Sequence, residues 1–128
     1  MSPQDTRPFR VMLRMDIKPG MEQEFERVWL AIGDSVTSHP ANLGQWLSRA
    51  DEPGVYYIIS DWVDEPRFRE FETSERHLEH RKKLHPYRTG GSMTTMHVVA
   101  HLPGVASTTP HQATSHRAVS HQQWETAR

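Results

Sequence analysis

Val55-Tyr56-Tyr57-Ile58-Ile59-Ser60-Asp61-Trp62-Val63-Asp64-Glu65-Pro66-Arg67-Phe68 is the stretch on which the fold turns. Its first nine residues are the densest run of β-branched and aromatic side chains in the chain, which predicts a strand. Tyr57, Ile59 and Val63 alternate with Tyr56, Ile58 and Trp62, so both faces of that strand are expected to be covered. Asp64 offers an N-cap, and proline is tolerated in a first helical turn, so the strand is expected to pass straight into a helix.

Upstream, Asp51-Glu52-Pro53-Gly54 is a turn signal, and residues 42–50 before it read as another strand. Earlier still, Met21 to Ser38 places Phe25, Val28, Trp29, Ile32 and Val36 on one helical stripe, ended by His39-Pro40. Phe9 to Ile17 alternates apolar and polar side chains with period two, the pattern of a half-buried strand. Downstream, the helix opened by Asp64 carries Phe68 and Phe71, falters at Thr73-Ser74 and restarts with Ser74 as cap, running to Leu84. Pro86 stops it, Gly90-Gly91 releases the chain, and residues 92–101 form a last strand.

The order is β-α-β-β-α-β, a ferredoxin-like α+β arrangement over residues 9–102, preceded by a short lead at 1–8. Helices cover one face of such a sheet, so the other needs a partner, and a second copy packed face to face predicts a homodimer. Residues 103–128 differ in character: beyond Pro103 the large apolar side chains are only Val105, Val119 and Trp124. That segment predicts a mobile polar tail, with 115–127 as a short helix against a partner in the alternative. His111, His116 and His121 recur every five residues, which is neither helix nor strand spacing for one face, and they read as solvated.

Composition removes several classes. In 128 residues, Lys+Arg 15 against Asp+Glu 16 leave a charge of −1, so no bulk field draws nucleic acid or anionic lipid. No apolar run reaches a membrane span, and residues 1–5 carry no basic-then-apolar signal, so a cytoplasmic domain is expected. Without cysteine there is no disulfide, thiolate metal site or cysteine nucleophile.

The order of elements, with Trp62-Val63-Asp64-Glu65-Pro66-Arg67-Phe68 joining strand to helix, resembles the antibiotic biosynthesis monooxygenase domain, a dimeric α+β barrel superfamily. The run His80-Arg81-Lys82-Lys83-Leu84-His85-Pro86-Tyr87-Arg88-Thr89-Gly90-Gly91-Ser92-Met93 is similar to a subgroup from bacterial aromatic polyketide clusters. The resemblance implies a quinone-forming oxygenase that uses dioxygen on a polycyclic phenol with no flavin, haem or metal. It places Trp62 where oxygenase members have a pocket tryptophan, and Ile58 where they have an asparagine. Haem-degrading members carry a helix histidine where this chain has Arg81, and a first-strand asparagine that it lacks, which argues against haem degradation.

Chemistry without a cofactor requires a base, oxyanion donors and a dry aromatic slot. Histidine suits the base, and His77 or His85 is the candidate. Arg88 and Tyr87 are candidate oxyanion donors, and Trp62 and Trp46 candidate walls, whereas Trp29 falls on a core stripe. His77 and His80, three apart on one helix, read as pocket residues or as solvated histidines. With Glu79 beside them they lack a clear third ligand, so no metal is assigned. His97 lies on the last strand with Met93 and Thr95, either near the pocket or packed in the core. The remaining readings are a redox-neutral cyclase on the same fold, or a non-catalytic partner that binds the intermediate or steadies other polyketide enzymes.

Overall fold

The computed structural model describes residues 7–108. Four antiparallel strands, β1 (Phe9–Ile17), β2 (Asn42–Arg49), β3 (Val55–Trp62) and β4 (Arg88–His97), form one sheet in the order β2-β3-β1-β4. This is the ferredoxin-like α+β order expected from the sequence. Between β1 and β2 lie α1 (Glu22–Ile32) and α2 (Asp34–Thr37). Between β3 and β4 lie α3 (Glu65–Glu72) and α4 (Glu75–Leu84), followed by a 3₁₀ turn at His85–Tyr87.

Register sorts the side chains into two faces. Phe9 pairs with Trp62 and His97, Val11 with Ser60 and Thr95, and Leu13 with Ile58 and Met93, so these share the face beneath the helices. Arg10, Met12, Ile59, Asp61 and Trp46 share the other, which no helix among the described residues covers. In the single chain Tyr57 and Ile59 on that face are only half-buried, and Trp46 is 50% exposed. There the Arg10 guanidinium donates twice to Asp61, at 2.7 and 2.8 Å.

The helices begin where capping chemistry places them. The Arg67 amide donates to Asp64 Oδ1 at 2.9 Å, and the His77 amide to Ser74 Oγ at 3.3 Å, so each helix satisfies one otherwise orphaned donor. The single helix expected over Met21–Ser38 is instead two. At Gly33 the carbonyl accepts from the Val36 amide, three residues on, and from Gln45 Nε2 at 3.0 Å, which tightens the chain and restarts it as α2.

The last strand also differs from expectation. It starts at Arg88 and ends at His97, with Gly90 and Gly91 inside it opposite Asp16 and Met15. The register shifts between Asp16 and Ile17, and at Gly91 a Cβ would lie 2.4 Å from the Arg14 carbonyl oxygen. The glycine there permits close strand approach rather than breaking the strand.

The core is in two parts. Phe9, Val11, Val36, Trp62, Phe68 and Phe71 pack at one end of the sheet, and Ile17, Phe25, Trp29, Tyr56, Ile58 and Leu84 at the other. Leu13 touches both groups, and the space between them is not filled. Among the described residues no helix is long and apolar enough to cross a membrane. Of the expected tail, residues 103–108 end in a 3₁₀ turn at Val105–Thr108. His111, His116, His121 and Trp124 lie outside the described residues, as does the lead at 1–6.

Candidate active site

The gap between the two core clusters is a cavity of about 340 Å³. That is at the small end of the range typical of small-molecule sites, ~300–1,000 Å³. Its floor is the helix-facing side of β1 and β3, with Val11, Leu13, Ile58 and Trp62. Its walls come from Trp29, Val36, Phe68, Phe71 and Leu84, and its polar groups mainly from α4, the 3₁₀ turn and the start of β4, with Gln45, Ser60 and Glu72 beside them.

Trp62 is 1% exposed, and its Nε1 donates to Ser60 Oγ at 3.0 Å, which fixes the indole plane. Phe71 lies 4.8 Å and Phe68 5.4 Å from it between ring centroids. The aromatic wall continues from Phe71 to His77 at 4.7 Å and on to His80, stacked at 5.9 Å with 16° between planes. Period two on β3 and the three-residue step on α4 together build this wall.

Both imidazoles are held neutral. Burial, aided by His80 and Arg81, pulls the His77 pKa from 6.5 down to about 4, and its buried Nδ1 has no hydrogen-bond partner. Burial lowers His80 as well, with Lys83 acting in the same direction. His80 is 8% exposed and its Nδ1 meets Ser35 Oγ at 2.6 Å. Arg81 and Arg88 line the cavity, and among the described residues neither forms an ion pair with a carboxylate. Glu72 also lines it but is engaged by Arg69 at 3.1 Å. Neutral acceptors beside unpaired guanidinium groups in an aromatic slot can take a hydroxyl proton and steady the anion left behind.

Of the residues singled out from sequence, His77, His80, His85, Arg88, Trp62 and Ile58 meet around this cavity. Three do not. Trp46 lies on the uncovered face of the sheet, because its register partner is Ile59 rather than Ile58. His97 sits edge-on against Phe9 at 5.3 Å, at the far end of β4. The Tyr87 hydroxyl turns away to donate to Glu24 Oε2 at 3.4 Å. Ser60, Ser35, Arg81 and Phe71 are site residues that sequence reasoning did not select. Arg81 is one helical turn beyond His77 and Ser60 is two strand residues before Trp62, so spacing held a signal for both. Ser35 is 45 positions from His80, and no local pattern reveals that contact. Among the described residues no group of three or more His, Cys, Asp or Glu is placed to hold a metal ion.

The family model for antibiotic biosynthesis monooxygenases matches residues 8–83, from the start of the sheet through most of α4. The chain belongs to the antibiotic biosynthesis monooxygenase family. Among curated relatives, protein SchA of Streptomyces halstedii is 32% identical over 82 residues, 63% of this chain and 22% of that protein. The 42.8 kDa protein in the whiE locus of Streptomyces coelicolor is 30% identical over 71 residues, 55% of this chain and 18% of that protein. The chain thus spans about a fifth of the length of the curated relatives it matches. Two solved structures share the family fold. SnoaB, a cofactor-independent oxygenase from Streptomyces nogalater, superposes with a TM-score of 0.67 at 21% identity, covering 77% of this chain and 99% of that one. Rv0793 from Mycobacterium tuberculosis gives 0.61 at 15% identity, covering 77% and 98%.

Proposed function

We propose that this chain oxidises a flat polycyclic phenol of the anthrone type to a quinone with dioxygen, without flavin, haem or metal. The observation that carries the reading is the cavity itself: an aromatic slot beside Trp62 with two neutral imidazoles and two arginines that pair with no carboxylate among the described residues. Membership of a monooxygenase family, and a shared fold with a protein described as a cofactor-independent oxygenase, support the reaction class.

The substrate supplies the electrons. A hydroxyl proton passes to an imidazole, His77 or His85, and Arg88 with Arg81 stabilises the phenolate. An imidazole with a pKa near 4 is a weak base by itself. Transfer therefore depends on the guanidinium groups lowering the pKa of the phenol they face. The electron-rich anion gives one electron to dioxygen, and the delocalised phenoxyl radical and superoxide combine at carbon to a peroxide. Loss of water then leaves the quinone: one CH₂ becomes C=O, one oxygen atom enters the product, and the other leaves as water. Trp62 and Ile58 bound the plane in which the rings lie, and the closed apolar floor keeps bulk water from the peroxide.

The uncovered sheet face, with exposed Trp46 and half-buried Tyr57 and Ile59, supports a homodimer formed sheet to sheet. An aromatic polyketide intermediate is the substrate class, and other enzymes of that kind of pathway are the expected partners. The direct test mixes metal-free, flavin-free protein with an anthrone in air and under argon. Quinone should form in air at a rate proportional to protein and not under argon. His77→Ala or His85→Ala should slow turnover at least ~10²-fold, the low end for a general base. Quinone forming equally fast without protein would remove the oxidation, and turnover unchanged in both variants would remove the base.

A further inference from the structure

His80 is the more firmly held of the two imidazoles, and what holds it comes from the α1–α2 junction. Ser35 Oγ lies 2.6 Å from His80 Nδ1, and the backbone of Ile32, three residues earlier, also takes a hydrogen bond from the ring. The Ser35 hydroxyl can accept from Nδ1 or donate to it, and a proton on Nδ1 suits acceptors at the junction. In a neutral imidazole one nitrogen is a donor and the other an acceptor, and the partner of the first decides the state of the second. With Nδ1 engaged at the junction, Nε2 is the ring nitrogen left for the cavity that His80 lines.

We propose that Ser35 is a positioning residue that locks His80 as the Nδ1–H tautomer, so that Nε2 presents a fixed lone pair to a hydroxyl of the bound phenol. This rests on the oxidation proposed above and names a second acceptor for it, beside the unpartnered Nδ1 of His77. It also gives the break at Gly33 a use. The restart of the helix sets Ser35 in the first turn of α2, facing α4, where an unbroken α1 would give it a different angle. A ring free to flip or to change tautomer would offer an N–H to the same hydroxyl, and would stabilise the wrong partner of the proton transfer.

The test is ¹⁵N-histidine NMR of the full chain near neutral pH, with turnover of an anthrone measured on the same samples. In the wild type, His80 should show a protonated-type shift at Nδ1 and an unprotonated-type shift at Nε2. Ser35→Ala should move it toward the Nε2–H form that imidazole side chains favour in water. Its kcat/KM should fall roughly tenfold, the size of one neutral hydrogen bond. Ser35→Thr, which keeps the hydroxyl, should restore both the shifts and the rate. A wild-type His80 found as Nε2–H, or a Ser35→Ala variant with unaltered His80 shifts, overturns the proposal. Absence of any turnover in the wild type counts against the oxidation, and the ring-nitrogen shifts still decide Ser35.

Discussion

His77 is where burial meets protonation most sharply. Its pKa of about 4 in the folded chain, against 6.5 ordinarily, means that between those values the unfolded chain binds a proton that the folded one refuses. Stability therefore falls as pH drops from about 6.5 toward 4, and this group favours folding above that window. A shift of that size, discounted for partial exposure, amounts to on the order of 2 to 3 kcal/mol. His80 is lowered too, so it acts in the same direction. Replacing His77 with Gln should flatten the decline in urea midpoint between pH 7 and pH 5 relative to wild type. An identical decline in the variant would mean that His77 is solvated in the folded state. The neutral imidazole is thus held at the expense of acid stability, a trade expected at a working site rather than in inert core.

At the level of elements, what could be read in advance was what neighbouring residues encode. Alternation in β1 and β3 gave the faces, and Asp64 and Ser74 gave the starts of α3 and α4, because a cap acts within three residues of itself. What could not be read depends on distant backbone. The split at Gly33 meets Gln45 from β2, and the early start of β4 pairs Arg88 with Ile17 across a register shift in β1. Gly90-Gly91 therefore looked like a breaker although it is paired strand. The two glycines should respond differently to substitution. Gly91→Ala would set a methyl 2.4 Å from the Arg14 carbonyl, whereas at Gly90 the nearest atom is Asp16 Oδ2 at 3.6 Å. Gly91→Ala should cost about 1–3 kcal/mol and disturb Arg88, whose Nη2 would lie 2.9 Å from the added carbon. Gly90→Ala should lie within about 1 kcal/mol of wild type. Equal urea midpoints for the two variants would contradict the close approach. The same division holds in the site: helical spacing brings His77 and His80 together, whereas the sequence of β2 leaves open which face Trp46 takes. An aromatic in a strand declares its face only once the register with β3 is known.

The described residues form a sheet with one face covered by helices and one face that none of these helices covers, and the core is split by a cavity. Trp46, Met12, Ile59 and Met96 lie together on the uncovered face, around the Arg10–Asp61 pair. If a second copy covers this face, Trp46→Glu should shift sedimentation from dimer to monomer at micromolar concentration while leaving the far-UV circular dichroism unchanged. A wild type that sediments as monomer would remove the sheet-to-sheet assembly. The cavity lies on the opposite side of the sheet from that face, with its own walls from all four helices, so the chemistry proposed for it can be judged separately from assembly. Its most direct measurement is mass spectrometry of the quinone formed under ¹⁸O₂ by metal-free, flavin-free protein. One ¹⁸O atom per quinone is expected, appearing at a rate proportional to protein. A protein-dependent product that carries no label, or a labelled quinone that accumulates no faster with protein than without it, would contradict it.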